Sequence, residues 1–179
     1  MSTETPFERL WAPWRMPWIR ESKDGVSDCF ICDALRADTN EDRENLLLYR
    51  GENALIILNR YPYSNGHMMV APTRHLSDPR DLNGEEFAEI GLLTQLGLEA
   101  LEKAMHPHGF NIGWNIGRIS GAGLEQHLHQ HIVPRWSGDT NFVPVIGGIR
   151  VISQDLWETF DDLKASMEML KNSSSPLDK

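Results

Sequence analysis

Gln126-His-Leu-His-Gln-His-Ile-Val-Pro134 is the stretch on which the fold turns. In an extended strand successive side chains alternate between faces, rising about 3.3 Å per residue. A strand over residues 127–133 places His127, His129 and His131 on one face at intervals of about 6.6 Å, and Leu128, Gln130 and Ile132 on the other. One face is then a line of imidazoles. Each imidazole carries two ring nitrogens that need partners if buried, so packing explains three in a row poorly. The pattern suits two kinds of work: holding a metal ion, or handling an anion by nucleophilic attack and hydrogen bonding.

Upstream of this row the pattern changes to short apolar runs: Leu46 to Tyr49, Leu55 to Leu58 and Met68 to Val70. The breaks between them, Gly51-Glu-Asn and Tyr61-Pro-Tyr-Ser-Asn-Gly66, are turn-forming, which predicts three antiparallel strands. Between Asn83 and Met105 the residues Phe87, Ile90, Gly91, Thr94, Leu98, Leu101 and Met105 recur mostly at spacings of three and four, the period of a helix with one buried face. Asn83 and Glu86 supply the cap and its reciprocal partner. Phe110 to Asn115 reads as another strand, joined to the histidine row by a glycine-rich link, and Gln154 to Leu170 as a last helix. This order predicts an α+β fold, a mostly antiparallel sheet with helices on one face.

At 179 residues the chain fits one domain with extensions and can bury a core without disulfides. Residues 28–140 read as the core domain. Residues 1–27, with Trp11, Trp14 and Trp18 among prolines and arginines, read as an N-terminal arm anchored by its rings. Residues 141–179 read as a C-terminal extension with a helix and a frayed tail. The net charge of −9 argues against long nucleic acid as a partner, since duplex binding calls for a basic patch. A small anion held by imidazoles and backbone N–H groups remains compatible. No leader pattern and no long apolar run is visible, so no membrane is expected and the protein is read as cytoplasmic.

Cys29-Phe-Ile-Cys32 is the only cysteine pair, too few for a disulfide framework and suited to a reducing compartment. By spacing it is half of a tetrahedral zinc site, a redox couple, or two unconnected thiols.

The row His127-Leu-His129-Gln-His131-Ile-Val resembles the signature of the histidine triad family, with Gln130 in a slot that is usually apolar. The resemblance extends to Leu58-Asn-Arg60 with Asn65-Gly-His67-Met-Met-Val70, and to Asn115-Ile-Gly117 leading through Gly121-Ala-Gly123. Leu10-Trp-Ala-Pro-Trp-Arg-Met16, Asp42-Arg-Glu-Asn-Leu46, Pro134-Arg-Trp136 and Gly138-Asp-Thr-Asn-Phe142 are similar to the family's bacterial diadenosine tetraphosphate phosphorylase branch.

The resemblance implies that His129 is a nucleophile on phosphorus, with a labile nucleotidyl-histidine intermediate resolved by phosphate or water. It implies that His131 and the backbone of Gly121, Ala122 and Gly123 hold the phosphate, that Asn59 and Asn115 contact the nucleotide, and that His67 supports the triad. It also implies a structural zinc on Cys29, Cys32, His75 and His127, with no catalytic metal required, and a homodimer in which Gly91 and Gly97 allow close helix contact. The expected reaction is phosphorolysis of diadenosine tetraphosphate to ADP and ATP. The alternatives are hydrolysis of dinucleoside polyphosphates or nucleoside phosphoramidates, a metal-dependent hydrolase with the triad as ligands, and a non-catalytic zinc-stabilised nucleotide-binding module.

Overall fold

The computed structural model describes residues 29–139 and 152–173. The expected N-terminal arm with its three tryptophans, and the stretch through residues 140–151, lie outside them.

Helix α1 (Phe30–Arg36) opens the described chain, with the Cys29 sulfur accepting from the Cys32 N–H as its cap. Strands β1 (Leu47–Arg50), β2 (Ala54–Leu58) and β3 (Met68–Pro72) follow where the apolar runs predicted them. Helix α2 (Gly84–Met105) precedes β4 (Gly109–Trp114) and β5 (Gln130–Arg135), and α3 (Leu156–Asn172) closes the fold. The five strands lie in the order β1-β2-β3-β5-β4, every neighbouring pair antiparallel. Helix α2 covers β2, β3 and β5, and α3 packs on α2 and reaches β1. The core between them includes Leu55, Ile56, Met68, Val70, Leu93, Leu101, Ile132 and Leu163, all essentially inaccessible.

The capping box at α2 forms as expected: Asn83 accepts from the Glu86 N–H at 2.9 Å, and Glu86 accepts from the Asn83 N–H at 2.8 Å. The buried face is rotated from the expected one. Ile90 and Leu101 are buried, but Phe87 is 60% exposed and Gly91 is exposed, while Leu93, Leu96, Gly97 and Ala100 face inward. The helix is apolar around much of its circumference, so spacing alone fixes its rotation poorly. Gly97 serves the chain's own packing: a Cβ there would meet Met68 Sδ at 2.9 Å and Ile132 Cδ1 at 3.4 Å. Helix α3 begins at Leu156, two residues after the expected start, because Asp155 caps the N–H groups of Trp157 and Glu158.

Strand β5 also starts late, at Gln130 and not at His127. The last β3–β5 pair is Val70↔Gln130. Pro72, which would come opposite Leu128, has no N–H, and its carbonyl is taken by the His127 ring at 2.8 Å. Leu128 N–H bonds instead to the Leu76 carbonyl at 2.6 Å. The first two histidines of the row therefore lie on an irregular approach to the strand. Gln130 is accommodated on the helix side, its amide 2.6 Å from the Thr94 hydroxyl. That hydroxyl has one hydrogen, and the Ile90 carbonyl lies 2.7 Å from it, so the amide is best oriented with its NH2 donating to Thr94.

Candidate functional site

With Met68, Gln130 and Ile132 turned toward α2, the alternate positions Met69 and His131 face the other side of the sheet. A row of register partners crosses that side: His131↔Met69, Met69↔Ile57, Ile57↔Leu47. A cleft of about 160 Å³ follows the row, lined by His129, His131, Gly123 and Asn59 and walled by Phe30, Leu46, Ile57, Met69 and Leu124. Three strand spacings separate β5 from β1, about 14 Å, comparable to a nucleoside 5′-phosphate from phosphorus to the far edge of its base. A larger hollow of about 510 Å³ lies among Tyr63, Met105, Trp136 and Gln154. None of the three row histidines lines it, so the candidate site is the smaller cleft.

Backbone groups fix the protons on the histidines. His129 is buried and its Nδ1 lies 2.8 Å from the His127 carbonyl oxygen. A carbonyl only accepts, so Nδ1 carries the hydrogen and Nε2 keeps its lone pair. The Tyr63 N–H donates to His67 Nδ1 at 3.1 Å, which puts the hydrogen of neutral His67 on Nε2. That Nε2 donates to His131 Nδ1 at 2.9 Å, leaving His131 an N–H at Nε2. The Asn115 side chain lies 3.3 Å from that Nε2 and accepts when its amide presents oxygen. Tyr63 also stacks on His67, centroids 4.8 Å apart, and the His129 and His131 rings meet edge to face at 4.9 Å.

Of the glycine-rich segment only Gly123 lines the cleft. Gly121, with φ 85, supplies a left-handed turn that brings the chain there, and Ala122 is half-buried. Asn59 lines the cleft while its Oδ1 accepts from the Tyr61 N–H at 2.9 Å, so it serves the turn and keeps its NH2 group for another acceptor.

The second cluster brings together the four residues expected to hold a metal. Cys29, Cys32, His75 and His127 each offer a ligand atom, all within 4.8 Å of one another, and could hold a metal ion. Cys29 Sγ and Cys32 Sγ lie 3.2 Å from the Nδ1 atoms of His127 and His75 respectively. Burial pushes the Cys29 thiol up to about 11 and the His127 imidazole down to about 4. A thiol in this setting ionises only with a cation beside it, and a neutral imidazole is the form that ligates metal. The Nε2–H of His127 is committed to the Pro72 carbonyl, which leaves Nδ1 facing the thiols. Arg50 anchors α1 by donating to the carbonyls of Ala34, Leu35 and Ala37 and to Asp42. Arg74, next to His75, is held by Glu86, whose carboxyl it keeps at about 2.

Phe30, Asn45, Leu46 and Arg60 line the cleft and the Tyr63 N–H orients His67, although the sequence reading gave none of them a role in the site. Phe30 was accessible to inference, since it sits between the two cysteines. Leu46 was not, because its φ of 61 is a conformation leucine rarely adopts.

Comparison with known proteins agrees with this geometry. The HIT domain family model matches residues 40–138. A protein of Mycobacterium tuberculosis named AP-4-A phosphorylase is 40% identical over 156 residues, covering 85% of this chain and 80% of its own. The crystal structure of a Zn-bound histidine triad family protein from Mycobacterium smegmatis superposes with a TM-score of 0.60 at 29% identity, covering 72% of this chain and 88% of the other. A hypothetical histidine triad nucleotide-binding protein from Sulfolobus tokodaii superposes with a TM-score of 0.63 at 27% identity, covering 80% and 94%. Among the described residues no helix is long and apolar enough to cross a membrane.

Proposed function

The chain belongs to the HIT domain family, and on that footing we propose that it cleaves diadenosine tetraphosphate by phosphorolysis through a bond between phosphorus and His129. The observation that carries this reading is the hydrogen bond from His129 Nδ1 to the His127 carbonyl, which leaves a neutral nitrogen nucleophile at Nε2. Nε2 attacks the phosphorus attached to one adenosine. The phosphorus–nitrogen bond forms as the bond to the next bridging oxygen breaks, and that oxygen leaves with the electron pair as part of ATP. Orthophosphate oxygen then attacks the same phosphorus, the phosphorus–nitrogen bond breaks, His129 regains its lone pair, and ADP departs. The one displacement becomes two: the imidazole, a better nucleophile than orthophosphate, expels ATP, and orthophosphate then expels the imidazole, a good leaving group.

Charge on the non-bridging oxygens is met by donors already in place. His131 offers its Nε2–H, fixed by the relay from Tyr63 through His67 and passed from Asn115 to the phosphate on binding, and Gly123, the part of the Gly121-Ala122-Gly123 segment that lines the cleft, offers its backbone N–H. Asn59 and Asn115 hold ribose and phosphate from the two sides of the histidines. His67 is a positioning residue: it sets the tautomer of His131 and does not itself touch substrate.

Cys29, Cys32, His75 and His127 form a zinc site, supported by the two-thiol, two-imidazole donor set, which makes a neutral and closed tetrahedral site. Zinc there would supply a cross-link between α1 and the approach to β5, with no part in the displacement. The protein acts as a homodimer, a reading supported by the exposed Phe87 on α2 and Ile112 on edge strand β4 (60% and 45%), and it works in the cytoplasm, which its free cysteines suit.

Product analysis with diadenosine tetraphosphate tests the reaction. ADP and ATP are expected only when orthophosphate is present. AMP and ATP regardless of phosphate would replace phosphorolysis with hydrolysis, and no product in either tube would overturn the cleavage reading.

A further inference from the structure

The end of the cleft remote from the histidines carries polar groups that the displacement does not use. Asn45 lines the cleft at the foot of β1, and its side-chain amide has no hydrogen-bond partner among the described residues. Arg60 lines the same end. Its guanidinium makes one described hydrogen bond, to the Glu44 carbonyl at 3.0 Å, and pairs with no described carboxylate. The backbone there is unusual. In an extended chain Asn45 and Leu46 would point to opposite faces, yet both line this cleft. Leu46 is 1% exposed with φ 61, a left-handed conformation that costs an L-residue of this kind energy the packing must offset. That turn lets Asn45 and Leu46 line the same slot, beside Arg60 and the apolar Phe30 and Ile57.

We propose that Asn45 selects the nucleobase, favouring adenine, with the Arg60 guanidinium covering the outer face of the ring. This rests on the nucleotide reading above. With phosphorus at His129, a nucleoside 5′-phosphate laid along the row His131, Met69, Ile57 brings its base to β1. One side-chain amide offers one donor and one acceptor, which match N7 and the N6 amino group of adenine. Guanine presents two acceptors on the same edge and leaves half of the amide unmatched. Phe30 and Ile57 supply apolar contact for the ring, and a planar guanidinium stacks on an aromatic face.

Calorimetry with AMP, GMP and 7-deaza-AMP on the whole protein reads this contact without turnover. AMP should bind roughly tenfold tighter than either of the others, and Asn45→Leu should bring all three together while leaving the melting temperature unchanged. Equal affinities in the unaltered protein, or a preference for GMP, would overturn the proposal. Should Asn45→Leu fail to fold, the 7-deaza comparison on the unaltered protein decides alone. AMP-selective binding without cleavage of diadenosine tetraphosphate would sink the catalytic reading and leave base selection standing; cleavage without base discrimination would do the reverse.

Discussion

His127 and His131 stand four residues apart in one row and are made into different tools. His127 is fixed from behind by a carbonyl, so its lone pair faces the two thiols. His131 is fixed from behind by a donor, the Nε2–H of His67, so its hydrogen faces the other way. Burial also holds His127 neutral by pushing it to about 4. An imidazole whose back nitrogen meets an acceptor becomes a ligand or a nucleophile, and one whose back nitrogen meets a donor becomes a hydrogen-bond donor. The difference lies in Pro72 and Tyr63, outside the row.

The contrast breaks most visibly at the residue between them. His129→Asn should remove turnover by at least about a thousandfold while the protein stays folded and keeps its metal, read by product formation and metal content. Near-normal rates would mean that no bond to His129 forms. Removing the metal should act on the other half of the comparison: chelation or Cys29→Ser should destabilise the fold by about 3 kcal/mol or more in thermal or denaturant unfolding. An unchanged melting curve would show the cluster to be idle.

Breaking the relay is a subtler test. His67→Phe leaves His131 free to take either tautomer, and kcat should fall roughly tenfold to a hundredfold with a smaller change in KM and an altered pH profile. A uniform loss of activity at every pH would point to packing instead. The smallest effect belongs to the Arg74–Glu86 pair beside His75. Arg74 holds the Glu86 carboxyl at about 2, below its usual 4.5, so this contribution is complete above pH 4.5 and is lost as the pH falls through about 2. Arg74 is half exposed and solvent screens its charge, so Glu86→Gln, which keeps an oxygen for the Asn83 cap, should lower the melting temperature only modestly near neutrality, with a modest weakening of metal affinity measured by chelator competition.

Much of this was legible beforehand because the devices are local. Turn residues marked β1 to β3, the pair Asn83 and Glu86 marked the start of α2, and the histidine row marked the site, with the rings of His129 and His131 in contact and that of His127 turned to His75. The misreadings arose where distant chain decides. Pro72 on a neighbouring strand delays β5, and the packing of Gly97 on Met68 sets the rotation of α2. The cleft's far wall depends on a left-handed leucine, which no local propensity encodes.

One feature of His127 reaches beyond its own chemistry. Its side chain belongs to the metal cluster, but the group that orients His129 is its main-chain carbonyl, which every amino acid possesses. Selection on the side chain at position 127 therefore leaves the tautomer of His129 untouched. A descendant could exchange this histidine and give up the cluster, repairing stability elsewhere, and still inherit a His129 with its lone pair on Nε2.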